Sequence, residues 1–339
     1  MRAIVYSNTG EPDVLRLVER SVPDPGPGEV RVRVGVSGVN PTDWKARRGD
    51  GGGGAVIPEV VPNQDGAGTV DAVGDGVDAS RVGQRVWLWE AAWQRVDGTA
   101  QEYVVLPARQ AVTLADSVSF DVGASLGIPA LTAHRCLTVS ELGPRRIMPD
   151  ALAAQTILVA GGAGAVGHAA IQLARWAGAR VVATVSSDQK ATLARAAGAD
   201  HVVNYRNPGV ADEVRRLALD GVDVIVEVAP AANAALDSAV LATNGTVAAY
   251  ATDGGNNLGL SVGDLMFRNI RYEFVLVYTV PPAAKDHAAA DVAAAAAGGA
   301  LQVGDDAGLP LHRFSLEHTA EAHGAVERGA VGKVLIDVS

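Results

Sequence analysis

Along its first third the chain alternates apolar and polar positions at a period of two. Ala3-Ile4-Val5-Tyr6, Glu29-Val30-Arg31-Val32-Arg33-Val34 and Gly68-Thr69-Val70-Asp71-Ala72-Val73 are divided by turn residues such as Pro23 to Gly28. Further strands are expected at 84–89 and 101–106, so residues 1 to about 125 predict an antiparallel, barrel-like domain. From about 126 the period lengthens. Leu126 to Val139 has helical spacing, and beyond it strands at 156–160, 180–185, 202–203 and 222–228 alternate with helices from Ala165 and from Gln189 to Ala197. That alternation predicts an α/β domain with a doubly wound parallel sheet. A helix at 236–241, strands at 246–250 and 272–278, and helices at 283–297 and 317–327 follow, and the closing strand 333–338 is assigned to the first domain. Gly51 to Gly54 is expected to be a loop tip.

One stretch changes this picture most. Ile157-Leu158-Val159-Ala160 suits a buried parallel strand, and Gly162, Gly164 and Gly167 then form G-x-G-x-x-G where strand passes into helix. The pattern assigns the tight turn to Gly162, the close approach of a pyrophosphate to Gly164, and close helix packing to Gly167. The free N–H groups at Ala165 and Val166, at the positive end of that helix, would hold phosphates. Val166, Ala169, Ala170, Leu173 and Trp176 keep helical spacing, and Gly178 is placed to cap the end.

The acidic residue that binds a ribose 2′-hydroxyl in NAD sites lies about 20 residues beyond the glycines, at the end of the second strand. Here that strand ends Val185-Ser186-Ser187 with no carboxylate in place. Two hydroxyls admit a 2′-phosphate, Lys190 lies one turn on, and Tyr205-Arg206 follow the next strand, so the reading is NADPH. Ser186 can also form a capping box with Gln189.

Composition narrows the rest. Net charge is −10, from 28 Lys+Arg against 38 Asp+Glu, and no basic run suggests nucleic acid. No apolar stretch reaches about 18 residues, and the first residues enter a strand pattern directly, so neither a membrane span nor a signal peptide is expected. The single Cys136 is expected to be a small buried residue, in keeping with a cytoplasmic protein.

Several separated segments carry a family likeness across essentially the whole chain. They are Gly38-Val39-Asn40-Pro41, Asp65-Gly66-Ala67-Gly68 with Ala72-Val73-Gly74, Ala100 to Val104, Leu126 to Ala133, the glycine stretch, Ala196 to Asp200, and Gly332-Lys333-Val334. In this order they resemble the zinc-independent, ζ-crystallin-like quinone oxidoreductases of the medium-chain dehydrogenase/reductase superfamily. The resemblance implies a GroES-like catalytic domain made of 1–125 and 280–339, an NADPH-binding Rossmann domain at 126–279, and a homodimer for which Phe274 to Tyr278 offers an edge. It places Asn40, Thr132, Tyr250 and Leu276 near the nicotinamide and adds Lys333 to the cofactor residues.

The zinc relatives in that superfamily carry a Cys where this chain has Asn40 and a His at Gln64, so no metal is expected. His318 and His323 are read as surface helix residues. Without a Lewis acid an alcohol is a poor substrate, whereas a quinone or other α,β-unsaturated carbonyl compound already stabilises the arriving charge. Asn40 then either donates a hydrogen bond to the substrate oxygen or forms an Asx turn before Pro41. The family's Tyr a few residues later is Lys45 here; paired with Asp43 it is either the proton donor or one of an exposed helix pair. Trp44, Trp89 and Trp93 are expected to pack. A trans-acting enoyl reductase of secondary metabolism and a non-catalytic NADPH-binding protein are the alternatives.

Overall fold

Valines alternating with polar residues make Glu29–Val39 the longest strand, buried at Val30, Val32, Val34 and Val36. In this computed structural model, which describes residues 1–49, 54 and 56–338, the chain forms two units: Met1–Ile128 with Pro310–Ser339, and Pro129–Leu309. The expected loop at Gly51 to Gly54 lies, Gly54 apart, outside the described residues. The first unit opens with β1 (Arg2–Asn8), β2 (Arg16–Glu19) and β3 (Glu29–Val39), followed by helix α1 (Pro41–Arg48). Strands β4 (Val56–Val60), β5 (Asp65–Val73), β6 (Arg85–Leu88), β7 (Tyr103–Pro107) and β8 (Ala111–Thr113) follow, then helix α2 (Phe120–Thr138), in which the chain passes to the second unit.

The second unit continues with β9 (Thr156–Ala160), α3 (Ala165–Trp176), β10 (Arg180–Val185), α4 (Asp188–Ala196), β11 (His201–Asn204), α5 (Val210–Leu217), β12 (Val222–Glu227), α6 (Pro230–Val240) and β13 (Leu241–Ala249). After them come α7 (Val262–Phe267), β14 (Arg271–Phe274) and α8 (Pro282–Ala297). The sheet is parallel throughout, in the order β11-β10-β9-β12-β13-β14. Its order reverses beside β9, and in such sheets ligands bind at the carboxyl ends of the strands at that point. Leu158, Val182, Val203, Ile225 and Val247 pack one core among its helices.

Residues 280–309, expected with the first domain, group instead with the second unit. Helix α8 buries Ala288, Ala289, Val292 and Ala295, and its Asp291 accepts from Ile147 N at 2.8 Å and meets His134 Nε2 at 2.9 Å. The strand expected at 272–278 ends at Phe274, where β13 ends beside it.

The chain then returns to the first unit as β15 (Leu311–Ser315), α9 (Thr319–Glu327) and β16 (Lys333–Asp337). A seven-stranded sheet runs β15-β16-β3-β5-β6-β8, with β7 also on β3, and β2-β1-β4 form a second sheet. Val334 pairs with Val39 in antiparallel register. The closing strand thus brings Lys333 beside the end of β3, where Asn40 follows.

Candidate functional site

At the carboxyl end of β9 the chain turns through Gly161, with φ 72°, a left-handed conformation that glycine adopts without a steric penalty. The tight turn therefore falls on Gly161, one residue before Gly162. A Cβ on Gly162 would lie 2.9 Å from that of Ala183, so this glycine admits the neighbouring strand instead. On Gly167 a Cβ would collide with the Gly161 carbonyl, and its absence lets α3 lie on the turn. Gly164 caps α3 and is exposed, leaving its backbone open to approach. The first N–H groups of a helix have no intrahelical partner; here they belong to Ala165, Val166 and Gly167. Together with the helix dipole they form an anion cradle.

Gly161 N and Gly162 N both donate to Thr184 O, at 3.1 and 3.2 Å, which ties the cradle to the end of β10. Ser186 and Ser187 follow there, half-buried, with no carboxylate in the strand end. Ser187 Oγ accepts from Lys190 N at 3.3 Å, so Ser187 caps α4, and not Ser186, whose alternative reading is a box with Gln189. Lys190 is half-buried, Tyr205 and Arg206 are exposed, and Tyr205 N donates to Val185 O at 3.0 Å. Tyr250 follows β13, its N–H donating to Glu227 O at 3.0 Å, and burial holds its phenol well above its ordinary pKa. Thr132 is buried in α2, while Leu276 is exposed beyond β14.

In the first unit the structure joins Asn40, Asp43 and Lys333 to Asp65, all buried. Asn40 Nδ2 donates to Asp65 Oδ2 at 2.6 Å, Lys333 Nζ donates to Asn40 Oδ1 at 2.8 Å, and Lys333 Nζ lies 3.7 Å from Asp65 Oδ2. Ile128 N donates to both Asp65 oxygens, at 2.9 and 3.0 Å. Asp43 Oδ2 accepts from Asn40 N at 2.7 Å, closing a capping box on α1. Burial and the neighbouring Asp65 push the Asp43 carboxyl up to about 8. Burial also raises Asp65 and lowers Lys333, and each opposes the shift of the other. Lys333, read as a cofactor residue, thus has its partners in this cluster.

Lys45 is not part of it. Exposed on α1, its ammonium lies 5.8 Å from the Trp44 ring, away from the buried Asp43, since positions two apart on a helix face different sides. His323, expected at the surface, is fully buried and its Nε2 meets Asn63 Oδ1 at 2.8 Å; His318 stays outside against Ser315. Trp89 is buried, as packing requires. Two members of the cluster were missed as site residues: Asp65, and Gly127, where a Cβ would collide with the Asp65 carboxylate. The available signal was an acid opening the small-residue strand Asp65-Gly66-Ala67-Gly68, an environment that requires a buried partner.

Comparison with known proteins agrees with this layout. The family model of the alcohol dehydrogenase GroES-like domain matches residues 26–116, and that of the zinc-binding dehydrogenases matches 165–295. A quinone oxidoreductase of Rattus norvegicus is 34% identical over 249 residues, 73% of this chain and 72% of the relative. A mycobacterial structure complexed with NADPH superposes with TM-score 0.79 at 30% identity, covering 99% of both chains. A 2-haloacrylate reductase structure does so with TM-score 0.79 at 26% identity, again covering 99% of both.

Proposed function

The chain belongs to the quinone oxidoreductase branch of the medium-chain dehydrogenase/reductase superfamily, and from that membership we propose an NADPH-dependent reductase of quinones or other α,β-unsaturated carbonyl compounds, working without zinc. The observation that carries the cofactor choice is the end of β10, where Ser186, Ser187 and Lys190 replace the acid that a ribose 2′-hydroxyl would need. Ala165, Val166 and Gly167 would hold the pyrophosphate, and Tyr205 and Arg206 would flank the adenosine phosphate. NADPH binding by the mycobacterial relative supports this reading.

The residues do not fit a zinc ion. Asn40 and Gln64, at the positions where the alcohol dehydrogenases of this superfamily have ligands, are neutral amides in place of thiolate and imidazole. Both are also engaged already, Asn40 with Asp65 and Lys333 and Gln64 Oε1 with Ala92 N at 3.1 Å. A conjugated acceptor needs no Lewis acid. Bound NADPH would supply the hydride and the acceptor's carbonyl would take the charge, while a positioned N–H on Asn40 would stabilise the oxygen as it becomes anionic. The product would take its proton from solvent, since Lys45 is exposed on α1 and lies outside the Asn40 cluster.

Mixing the purified protein with NADPH and 1,4-benzoquinone, an enone, an enoyl thioester or a primary aldehyde, and following NADPH absorbance, tests the proposal. Turnover with the quinone or enone and little with the aldehyde is expected. No NADPH loss with any acceptor would overturn it.

A further inference from the structure

The Asn40 amide has only one orientation compatible with its neighbours. A carboxylate accepts and an ammonium donates, so Asp65 requires the Nδ2 side and Lys333 the Oδ1 side; a flipped amide would face donor with donor and acceptor with acceptor. Nδ2 spends one of its two hydrogens on Asp65. The other has no protein acceptor among the bonds of the described residues.

We propose that Lys333 and Asp65 are positioning residues that lock the Asn40 amide, leaving its second N–H fixed for the acceptor's oxygen. This rests on the reductase reading above. Lys333 also withdraws electron density through Oδ1, which strengthens the remaining N–H as a donor when negative charge develops.

The surrounding backbone is shaped for this arrangement. On Gly38 a Cβ would collide with the Ala124 carbonyl and also stand 3.1 Å from Lys333 Cε, and Gly127 leaves room for the Asp65 carboxylate beneath Ile128 N. Thr99 Oγ1 donates to Asp65 O at 2.6 Å and Ser37 Oγ lies 2.7 Å from Thr99 Oγ1, while Asn63 Nδ2 donates to Ser37 Oγ at 2.9 Å and meets His323 through Oδ1. The Asp65 carbonyl is thereby tied to this chain of hydrogen bonds through Thr99. Burial and the neighbouring Asp65 push the Asp43 carboxyl up to about 8, which favours its neutral form beside the Asp65–Lys333 pair.

The test uses Lys333→Met, Asp65→Asn and the double variant, which removes both charges together and so avoids a lone buried ion. With 1,4-benzoquinone as acceptor, the double variant should fold, bind NADPH within twofold of the parent by fluorescence titration, and lose about 10- to 100-fold in kcat. A folded double variant with parental kcat, or one whose loss lies wholly in NADPH affinity, would overturn the proposal. The amide is also read without turnover. Side-chain 15N–1H resonances of Asn40, assigned through Asn40→Ala, should be a widely split, exchange-protected pair in the parent and lose that protection in the double variant. If the parent reduces no acceptor but shows this change, the reductase reading falls and the lock stands. Unchanged resonances would refute the lock.

Discussion

Lys190 shows how one side chain divides two nearly identical cofactors. It is the third helical residue of α4, anchored by its own N–H to Ser187 Oγ, so its ammonium starts from the end of β10 and not from an arbitrary surface point. A 2′-phosphate would meet that charge, and a 2′-hydroxyl would gain little from it. One charge-assisted hydrogen bond is worth roughly 1.5–3 kcal/mol, so Lys190→Ala should weaken NADPH by about 10- to 100-fold and NADH by less than about twofold, measured by fluorescence titration. Equal losses for both cofactors would sink the assignment. The missing acid was legible in the sequence because a strand end can be counted from the glycines. The cap was not, because Ser186 and Ser187 are adjacent and only the backbone path decides which one faces the helix. The same limit hid the roles of Gly161 and Gly162, whose difference is one of φ.

Between elements, fully buried strands and packed helices wrote their pattern plainly, since a parallel strand covered on both faces must be an apolar run. Polar pairs between elements left no such trace: His323 and Asn63 are 260 residues apart. Strand β14 was overread because Tyr272 to Tyr278 keeps a β-like composition while its pairing partner β13 stops at Ala249. Gly167 makes the contact between turn and helix testable: Gly167→Ala pushes α3 off Gly161, and should weaken NADPH at least about tenfold and cost about 1–3 kcal/mol in chemical denaturation. Parental NADPH affinity would contradict it. A second interface, between β12 and α6, buries Glu227 and Asp237 together. Burial, then the charge of Glu227, raises the Asp237 carboxyl from 3.8 to about 9. Between those values the folded chain keeps a proton that the unfolded chain releases, so this group's contribution to stability is greatest below 3.8, falls as pH rises and levels off above about 9. Asp237→Asn keeps the shape without the titration. It should gain about 1–3 kcal/mol at pH 8 and flatten the loss of Tm between pH 6 and 9 followed by circular dichroism. A slope identical to the parent's would rule this out.

For the whole molecule, the return of the chain's end to β3 was readable from Lys333–Val338, but not the point of return. The Ala-rich helix α8 carries no pattern that says which sheet it covers, and its placement rests on Asp291 meeting His134 and Ile147 N. The same scale holds the question of assembly. Strand β14 ends the order of the second unit's sheet, so one side of it has no strand neighbour among the described residues. Such an edge is a template for pairing unless bulges, charges or covering elements block it. Here Phe274 is 70% and Leu276 52% exposed, and nearby in sequence Met266 and Phe267 of α7 are 71% and 90% exposed. Exposed apolar side chains on and just after an edge strand offer an interaction surface, and a two-fold axis would let the strand meet its own copy. A homodimer built on this edge is therefore expected, with about twice the 34.7 kDa chain mass in light scattering after size exclusion. Phe274→Lys combined with Leu276→Lys should yield a monomer with unchanged far-ultraviolet circular dichroism, because neither side chain is part of the buried core. A parent that runs as a monomer at micromolar concentration, or a doubly substituted protein that remains dimeric, would remove the edge from the assembly.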